Sequence, residues 1–253
     1  MDVSNPKRGR MRVENGIATL HGTPEISVVL RRSGQARRLS LRVSGLDGRV
    51  TLTMPNTLHL REALEFLQER ESWLRAAMTR LPEPCPVAIG ADILLRGEIL
   101  RITEGTGARI AVKGGQLLVP PDPTGTRTAL RVATYLKASA RAALVDASER
   151  YAAALGRPFS AIALRDTRSR WGSCTAQGRL MFSWRLIMAP PQVLDYVAAH
   201  EVAHLKHMDH SRVFWNCVGQ LMPDYQTHRD WLSNNGAVLH SYSFTSRPEA
   251  DRG

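Results

Sequence analysis

Four of the chain's eight histidines fall within the segment HEVAHLKHMDH, residues 200–210. His200 and His204 are four positions apart, so on an α-helix both imidazoles lie on one face and can bind the same cation. Glu201 lies beside that face, where a carboxylate can take a proton from water that the metal activates. The spacing favours a metal-dependent hydrolase, with a structural zinc site or ordinary exposed histidines as the alternatives.

A catalytic zinc needs a third protein ligand and an open fourth position, and the nearby candidates are His207, Asp209 and His210. On a continuous helix His207 would lie ~10 Å along the axis from His200, whereas metal-bound nitrogens lie only ~2.1 Å from the ion. If the helix ends near His207, the chain can turn back and bring His210 to the metal. We therefore predict one Zn²⁺ held by His200, His204 and His210. His207 is left as a turn residue, a group that supports the ligands or a substrate contact.

The helix that carries this motif is predicted to begin at Pro190-Pro191, because proline fits the first helical turn. Before it, the segments of about 161–170 and 179–187 are expected to pair as a hairpin that turns at Ala176-Gln177-Gly178. Further helices are expected over 128–155, from about Ser211 and from about Thr227.

The rest of the chain divides by composition into parts of different character. Residues 1–24 are predicted to be a flexible arm, and residues 25–120 a β-rich region with one amphipathic helix over 58–80. One turn in this region is expected at Leu46-Asp47-Gly48, and the segment PPDPTG (120–125) is interpreted as a linker. It leads to a largely helical part over 126–240, and residues 241–253 are predicted to be a flexible tail.

Composition restricts the class of protein. The chain has 253 residues, 43% of them hydrophobic, and neither a secretory signal nor a membrane span is apparent, so a cytoplasmic location without membrane contact is expected. Its three cysteines are scattered, which argues against a disulfide framework. The net charge of +11 leaves open a basic nucleic-acid-binding protein with a structural zinc site.

Several segments resemble the YgjP-like metallopeptidase family, a group of predicted bacterial zinc hydrolases related to SprT-like proteases. They are RSRWGSC (168–174), RLMFSWRLIMAPP (179–191), DYVAAHEVAHLKHMDHSRVFW (195–215) and MPDY (222–225). The resemblance implies an α+β protein whose zincin-like catalytic domain, residues 126–240, packs its active-site helix on a small antiparallel sheet. It also implies hydrolysis of peptide bonds in a peptide or protein substrate bound along an edge strand. A protease that acts on DNA-bound proteins is a variant of this reading.

Other residues near these segments have two interpretations each. Arg170 and Trp171 can shape a substrate cleft, or belong to a structural turn with a buried tryptophan. Tyr225 can donate a hydrogen bond to an oxyanion and Met222 can lie beneath the zinc, or both can be core residues. Phe214 and Trp215 are interpreted as the apolar face of the helix after His210.

Overall fold

The computed structural model describes residues 11–44, 48–79 and 82–245. The chain forms two compact units that divide between Pro82 and Glu83. The first unit contains one β-sheet and two helices, and the second contains the other sheets and helices. The predicted α+β class is confirmed. None of the described helices is long and apolar enough to cross a membrane.

The first unit is a five-stranded sheet with the order β1-β2-β3-β5-β4. Its strands are β1 (Met11–Glu14), β2 (Ile17–Leu20), β3 (Ile26–Ser33), β4 (Ser40–Val43) and β5 (Val50–Pro55). Alternate residues of β5 are buried because successive side chains of a strand point to opposite faces. Of the turn predicted before β5, Leu46 and Asp47 lie outside the described residues.

Strands β1 and β2 lie where the sequence analysis predicts a flexible arm. They pair as an antiparallel hairpin whose turn residues, Asn15 and Gly16, have φ angles of 48° and 77°. An Asn-Gly pair with two positive φ angles is the turn that best matches the twist of a hairpin. The described part of the predicted arm therefore forms a hairpin, and the Asn15-Gly16 pair is the local sequence signal for its turn.

Two helices, α1 (Leu60–Glu69) and α2 (Glu71–Met78), replace the single helix predicted over 58–80. They meet at Arg70, which has φ −94° and ψ 3°, outside the α-helical region. No residue between Leu67 and Leu74 is buried, so core packing does not hold this stretch to one axis.

The second unit includes a four-stranded sheet with the order β7-β8-β10-β9. The strands are β6 (Cys85–Pro86), β7 (Asp92–Leu95), β8 (Glu98–Glu104), β9 (Ala111–Lys113) and β10 (Gln116–Val119), with β6 paired elsewhere. The buried residues of β8 and β10 belong to the same hydrophobic core as the helices that follow. Residues 83–120 therefore pack with the helical part of the chain, which differs from the grouping of 25–120 as one region.

The long helix α3 (Thr128–Leu155) covers the predicted span. Asp122 caps its start, because its carboxylate accepts hydrogen bonds from the backbone N–H of Arg127 (2.7 Å) and Thr128 (2.8 Å). Gly156 ends it in the left-handed conformation with φ 66°. The guanidinium of Arg131 also donates to the carbonyl oxygens of Pro120 and Pro121, so the predicted linker is attached to α3.

A three-stranded sheet lies next to the histidine-bearing helix. Its strands are β11 (Ala161–Arg165), β12 (Gly172–Cys174) and β13 (Arg179–Ser183), in the order β11-β13-β12. The sheet is mixed rather than wholly antiparallel, because β11 pairs with β13 in parallel and only β12 pairs with it antiparallel. The predicted hairpin between 161–170 and 179–187 is wrong, because β11 runs parallel to β13; the antiparallel hairpin that turns at 175–178 forms between β12 and β13. Segment 166–171 carries the chain from one edge of the sheet to the other, and β12 is left as an edge strand.

After β13, the chain forms the helices that surround the candidate site. They are a 3-10 helix (Trp184–Met188), α4 (Pro191–Ala203), α5 (Arg212–Leu221) and α6 (Tyr225–Ser241). A short strand, β14 (Tyr242–Ser243), comes after α6 and pairs with β6. Helix α4 packs against α3, α5, α6 and β12, so it is central to the second unit.

Candidate metal centre

The histidine motif occupies the end of α4. Pro191 begins this helix, and its apolar residues Val197, Ala198 and Val202 are buried in the core. The last helical residue is Ala203, and the backbone N–H groups of Leu205 and Lys206 close the end by bonding three residues back. The N–H of His207 makes the last helical bond, to the carbonyl oxygen of Ala203 (3.1 Å), so the helix ends before His210, as the assignment of a third ligand there requires.

Three imidazoles converge where the chain turns back. The nearest ring nitrogens of His200, His204 and His210 all lie within 4.8 Å of one another. The Nε2 atoms of His200 and His210 are 3.2 Å apart. Two nitrogens that bind one zinc tetrahedrally at ~2.1 Å are about 3.4 Å apart, so this spacing fits a shared metal ion. Within the described part of the chain, the group contains these three ligands and no fourth.

His207 supports the group through its backbone. Its carbonyl oxygen lies 2.9 Å from Nδ1 of His204, which we assign as the donor. Donation from Nδ1 leaves the Nε2 lone pair of His204 available to a metal, which is the usual arrangement of a histidine ligand. His207 therefore lies in the turn and contacts His204 through its backbone carbonyl, in line with two of the three alternatives left by the sequence.

A fully buried phenylalanine underlies the three imidazoles. The ring centroid of Phe214 lies 4.4 Å from that of His204 and 4.9 Å from those of His200 and His210. Phe214 is four residues after His210 and belongs to the buried face of α5, whose N-cap is Ser211. The sequence analysis recognises it as apolar but misses its contact with the ligands. His210 lies before the N-cap of α5, so helical spacing does not link it to Phe214 in the sequence.

The three histidines differ in their exposure to solvent. His204 is buried and His200 half-buried, whereas His210 is exposed. Burial, reinforced by the neighbouring His204 and His210, lowers the pKa of His200 to about 3. Burial also lowers the pKa of His204. Neutral imidazoles are the form that binds metals, so the environment favours a metal site.

Glu201 follows His200 directly on α4. Its side chain is buried with only 5% of the residue exposed, and none of the described residues forms a hydrogen bond with its carboxylate. Burial raises the pKa of Glu201 to about 8, and the positive charge of Arg170 acts in the opposite direction. A buried carboxyl group with a raised pKa beside a metal-ligand cluster is suited to proton transfer.

The edge strand β12 approaches Glu201 directly. Gly172, its first residue, contacts the Glu201 side chain. Two predicted cleft residues come just before Gly172. Arg170 is exposed, and its positive charge lowers the pKa of Glu201. The ring of Trp171 lies 4.8 Å from the ring of His240. Cys174, two residues along the strand, is half-buried, and burial and the charge of Glu201 raise the pKa of its thiol to about 11.

Aromatic residues and one arginine border the exposed side of the group. Trp215 lies 5.5 Å from His200 and 5.8 Å from His210 between ring centroids. The ring of Tyr225 stacks on Trp215 at 5.5 Å, and the guanidinium of Arg229 lies 4.6 Å from the centre of the same indole ring. Tyr225 therefore lies one ring away from the ligands. Arg229, one turn later on α6, is a neighbour that the sequence analysis does not find.

Met222 lies at the end of α5, and its place beneath a metal ion stays a prediction. It is the C-cap of α5 and is buried in the core of the second unit.

Comparisons with known proteins bear on the family of the chain. No curated protein matches the chain. A crystal structure of the metallopeptidase zymogen of Pyrococcus abyssi abylysin is similar with 20% identity and a TM-score of 0.34, over 36% of this chain and 93% of that chain. Nothing in these comparisons supports nucleic-acid binding. The family model described as YgjP-like, metallopeptidase domain, matches residues 37–235. Because this match covers well over half of the sequence, the chain belongs to the YgjP-like metallopeptidase family.

Proposed function

We propose that the protein is a zinc-dependent peptidase in which His200, His204 and His210 hold one Zn²⁺ and Glu201 is the general base. The observation that carries the proposal is the convergence of three imidazoles, with the buried carboxyl group of Glu201 next in sequence to the first of them on α4. Three histidine ligands suit zinc, and a group of three protein ligands leaves a fourth position for water or substrate. Residues 126–240 form the proposed catalytic domain, and a cytoplasmic location stays a prediction.

The metal and the glutamate have separate tasks in this proposal. Zinc bound by the three imidazoles supplies a Lewis acid that activates water and polarises the scissile carbonyl. Glu201 accepts the proton of the attacking water and delivers it to the nitrogen of the leaving amine. Its carboxylate has no hydrogen-bond partner among the described residues, so its oxygens are available to that proton.

The substrate proposed is an extended peptide that pairs with β12. In the antiparallel ladder, Ser173 lies opposite Met181, and the backbone N–H of Ser183 donates to the carbonyl of Trp171. The polar backbone groups of Gly172 and Cys174 alternate with these and point to the free edge of the sheet. A peptide that adds there as a strand is held mainly through its backbone, which predicts weak selectivity for side chains.

The test is to measure zinc content and peptide cleavage for the wild type and for E201Q. Glutamine keeps the size of the side chain but cannot take a proton, so kcat is expected to fall by about 10²–10⁴-fold with zinc retained. E149Q, on the exposed surface of α3, is the matched control and is expected to keep the wild-type rate. Full peptidase activity in zinc-loaded E201Q contradicts the proposed role of Glu201.

A further inference from the structure

Gly172 occupies a position where any side chain would collide with Glu201. A Cβ atom built on Gly172 would lie 2.5 Å from Oε1 of Glu201, 2.6 Å from its Cγ and 2.8 Å from its Cδ. These separations are far below ordinary van der Waals contact, and they involve the carboxyl group itself. The space that a β-carbon normally occupies is therefore filled by the carboxylate of the proposed general base.

Backbone conformation does not explain this glycine. Gly178, in the turn of the same hairpin, has φ 72°, a conformation that favours glycine over other residues. Gly172 is not among the residues with positive φ, so an L-amino acid can adopt its backbone. What excludes a side chain at Gly172 is the volume of Glu201.

The contact also fixes the position of the carboxylate. Glu201 is buried and has no hydrogen bond from the described residues, so packing rather than polar contacts holds its oxygens. Gly172 lies on the edge strand, and the Glu201 side chain extends from α4, which packs against β12. Close approach of this backbone brings the carboxylate beneath the strand on which a substrate would bind.

We propose that Gly172 is the positioning residue of Glu201, and that its missing side chain lets the carboxylate lie between the metal group and the substrate strand. This inference rests on the peptidase function proposed above. Cys174 lies on the same face of β12, because residues two apart on a strand share a face. Ser173 lies on the opposite face, so the positioning role belongs to Gly172 and not to the whole segment.

The kinetic test uses the zinc-loaded full chain and a mixture of internally quenched fluorescent peptides. In G172A the added methyl group displaces the carboxylate, and a misplacement of about 1 Å lowers kcat by roughly 100-fold. KM is expected to stay within about threefold, and zinc content to stay unchanged, since the three atoms nearest to an added Cβ at Gly172 all belong to Glu201 and none to a histidine. The matched control is G107A, whose added Cβ would lie 3.7 Å from the backbone oxygen of Arg109 in ordinary contact; wild-type kinetics are expected.

A second test measures the contact without using activity. Thermal unfolding is compared for the wild type, G172A, E201A and the double variant G172A/E201A. Overpacking in G172A is expected to lower Tm by roughly 2–12 °C. In the E201A background the methyl group has room, so the same substitution is expected to leave Tm nearly unchanged. The double variant remains informative even if G172A alone does not fold.

The two tests separate failure of this inference from failure of the proposed function. If the wild type cleaves peptides and E201Q does not, yet G172A keeps the wild-type kcat, Gly172 does not position Glu201. Equal Tm losses from G172A in both backgrounds also overturn the inference. If the zinc-loaded wild type cleaves no peptide, the peptidase proposal fails, while the unfolding comparison still reports on the contact.

Discussion

Truncating Phe214 to alanine is expected to weaken zinc binding as well as the fold, and the two effects can be separated. Phe214 is fully buried, and its ring contacts the imidazoles of His200, His204 and His210 at centroid distances of 4.4–4.9 Å. Removing a buried phenylalanine side chain costs about 3–5 kcal/mol of folding free energy. For a domain of about 150–250 residues this corresponds to a fall in Tm of roughly 6–20 °C.

The loss of zinc affinity follows from a different part of the same contact. Groups that hold ligand side chains in orientation typically change metal affinity by about 10–100-fold when they are removed. Phe214 is the shared support of three ligands, so F214A is expected to reach the upper end of that range. Affinity is measured by competition with a chromophoric zinc chelator, at a temperature where far-ultraviolet circular dichroism shows the variant to be folded.

Phe182 provides the control for burial. It is also fully buried, lies in β13 and makes no described ring contact with the three histidines. F182A is expected to lower Tm by a similar amount, with zinc affinity within about threefold of the wild type. If F214A and F182A lose the same Tm but bind zinc equally well, Phe214 does not orient the ligands, and the reasoning is refuted.

Further predictions concern the ligands, the metal and a buried ion pair. H207A is expected to keep wild-type zinc affinity, because His207 contributes only a backbone carbonyl. H210A is expected to lose more than about tenfold in zinc affinity, and equal affinity losses for the two variants in a competition titration would refute the assignment of His210 as the third ligand. Removing zinc from a sample with free zinc at about 100 times Kd is expected to lower Tm by roughly 5–11 °C, and calorimetry that shows no shift argues against a folded-state site. D166A removes the carboxylate that pairs with buried Arg185 at 2.6 Å; since Asp166 is itself 46% exposed, a loss of about 2–3 kcal/mol is expected in denaturant unfolding. D146A, in an exposed pair, should lose no more than about 1 kcal/mol.

The ligand group could be predicted from the sequence because its geometry is local. Helix rise and the reach of a metal–nitrogen bond are enough to select His210 over His207 once the helix is assumed to end. The structure brings the predicted residues together, although their role as zinc ligands stays a proposal. The start of α4 was predictable for the same reason, since a proline acts within a few residues.

Pairing between distant segments was less accessible. Alternation of apolar residues predicts that β11 and β13 are strands but contains no information on their relative direction, and the two turned out to be parallel. The division of the chain between Pro82 and Glu83 could not be predicted for a similar reason. The second sheet and α3 share one hydrophobic core, and no local sequence pattern indicates that these distant segments pack together. The Asn15-Gly16 turn is different, because an Asn-Gly pair is a local sequence signal for a hairpin. The prediction of a flexible arm followed the polar composition of the segment instead.

Gly172 and Phe214 show where sequence reasoning stops for the site itself. Both residue types have ordinary local explanations, a strand glycine and the apolar face of a helix, and both explanations are compatible with the structure. Their roles depend on a second segment: Gly172 on the space that Glu201 occupies, and Phe214 on three rings contributed by α4 and the turn after it. A motif therefore identifies the groups that carry out chemistry, whereas the groups that place them become visible only when the segments are packed together. At this site, the position proposed for the Glu201 carboxylate depends on such a placing group, Gly172. Misplacing a catalytic base by about 1 Å can lower the rate by about 100-fold.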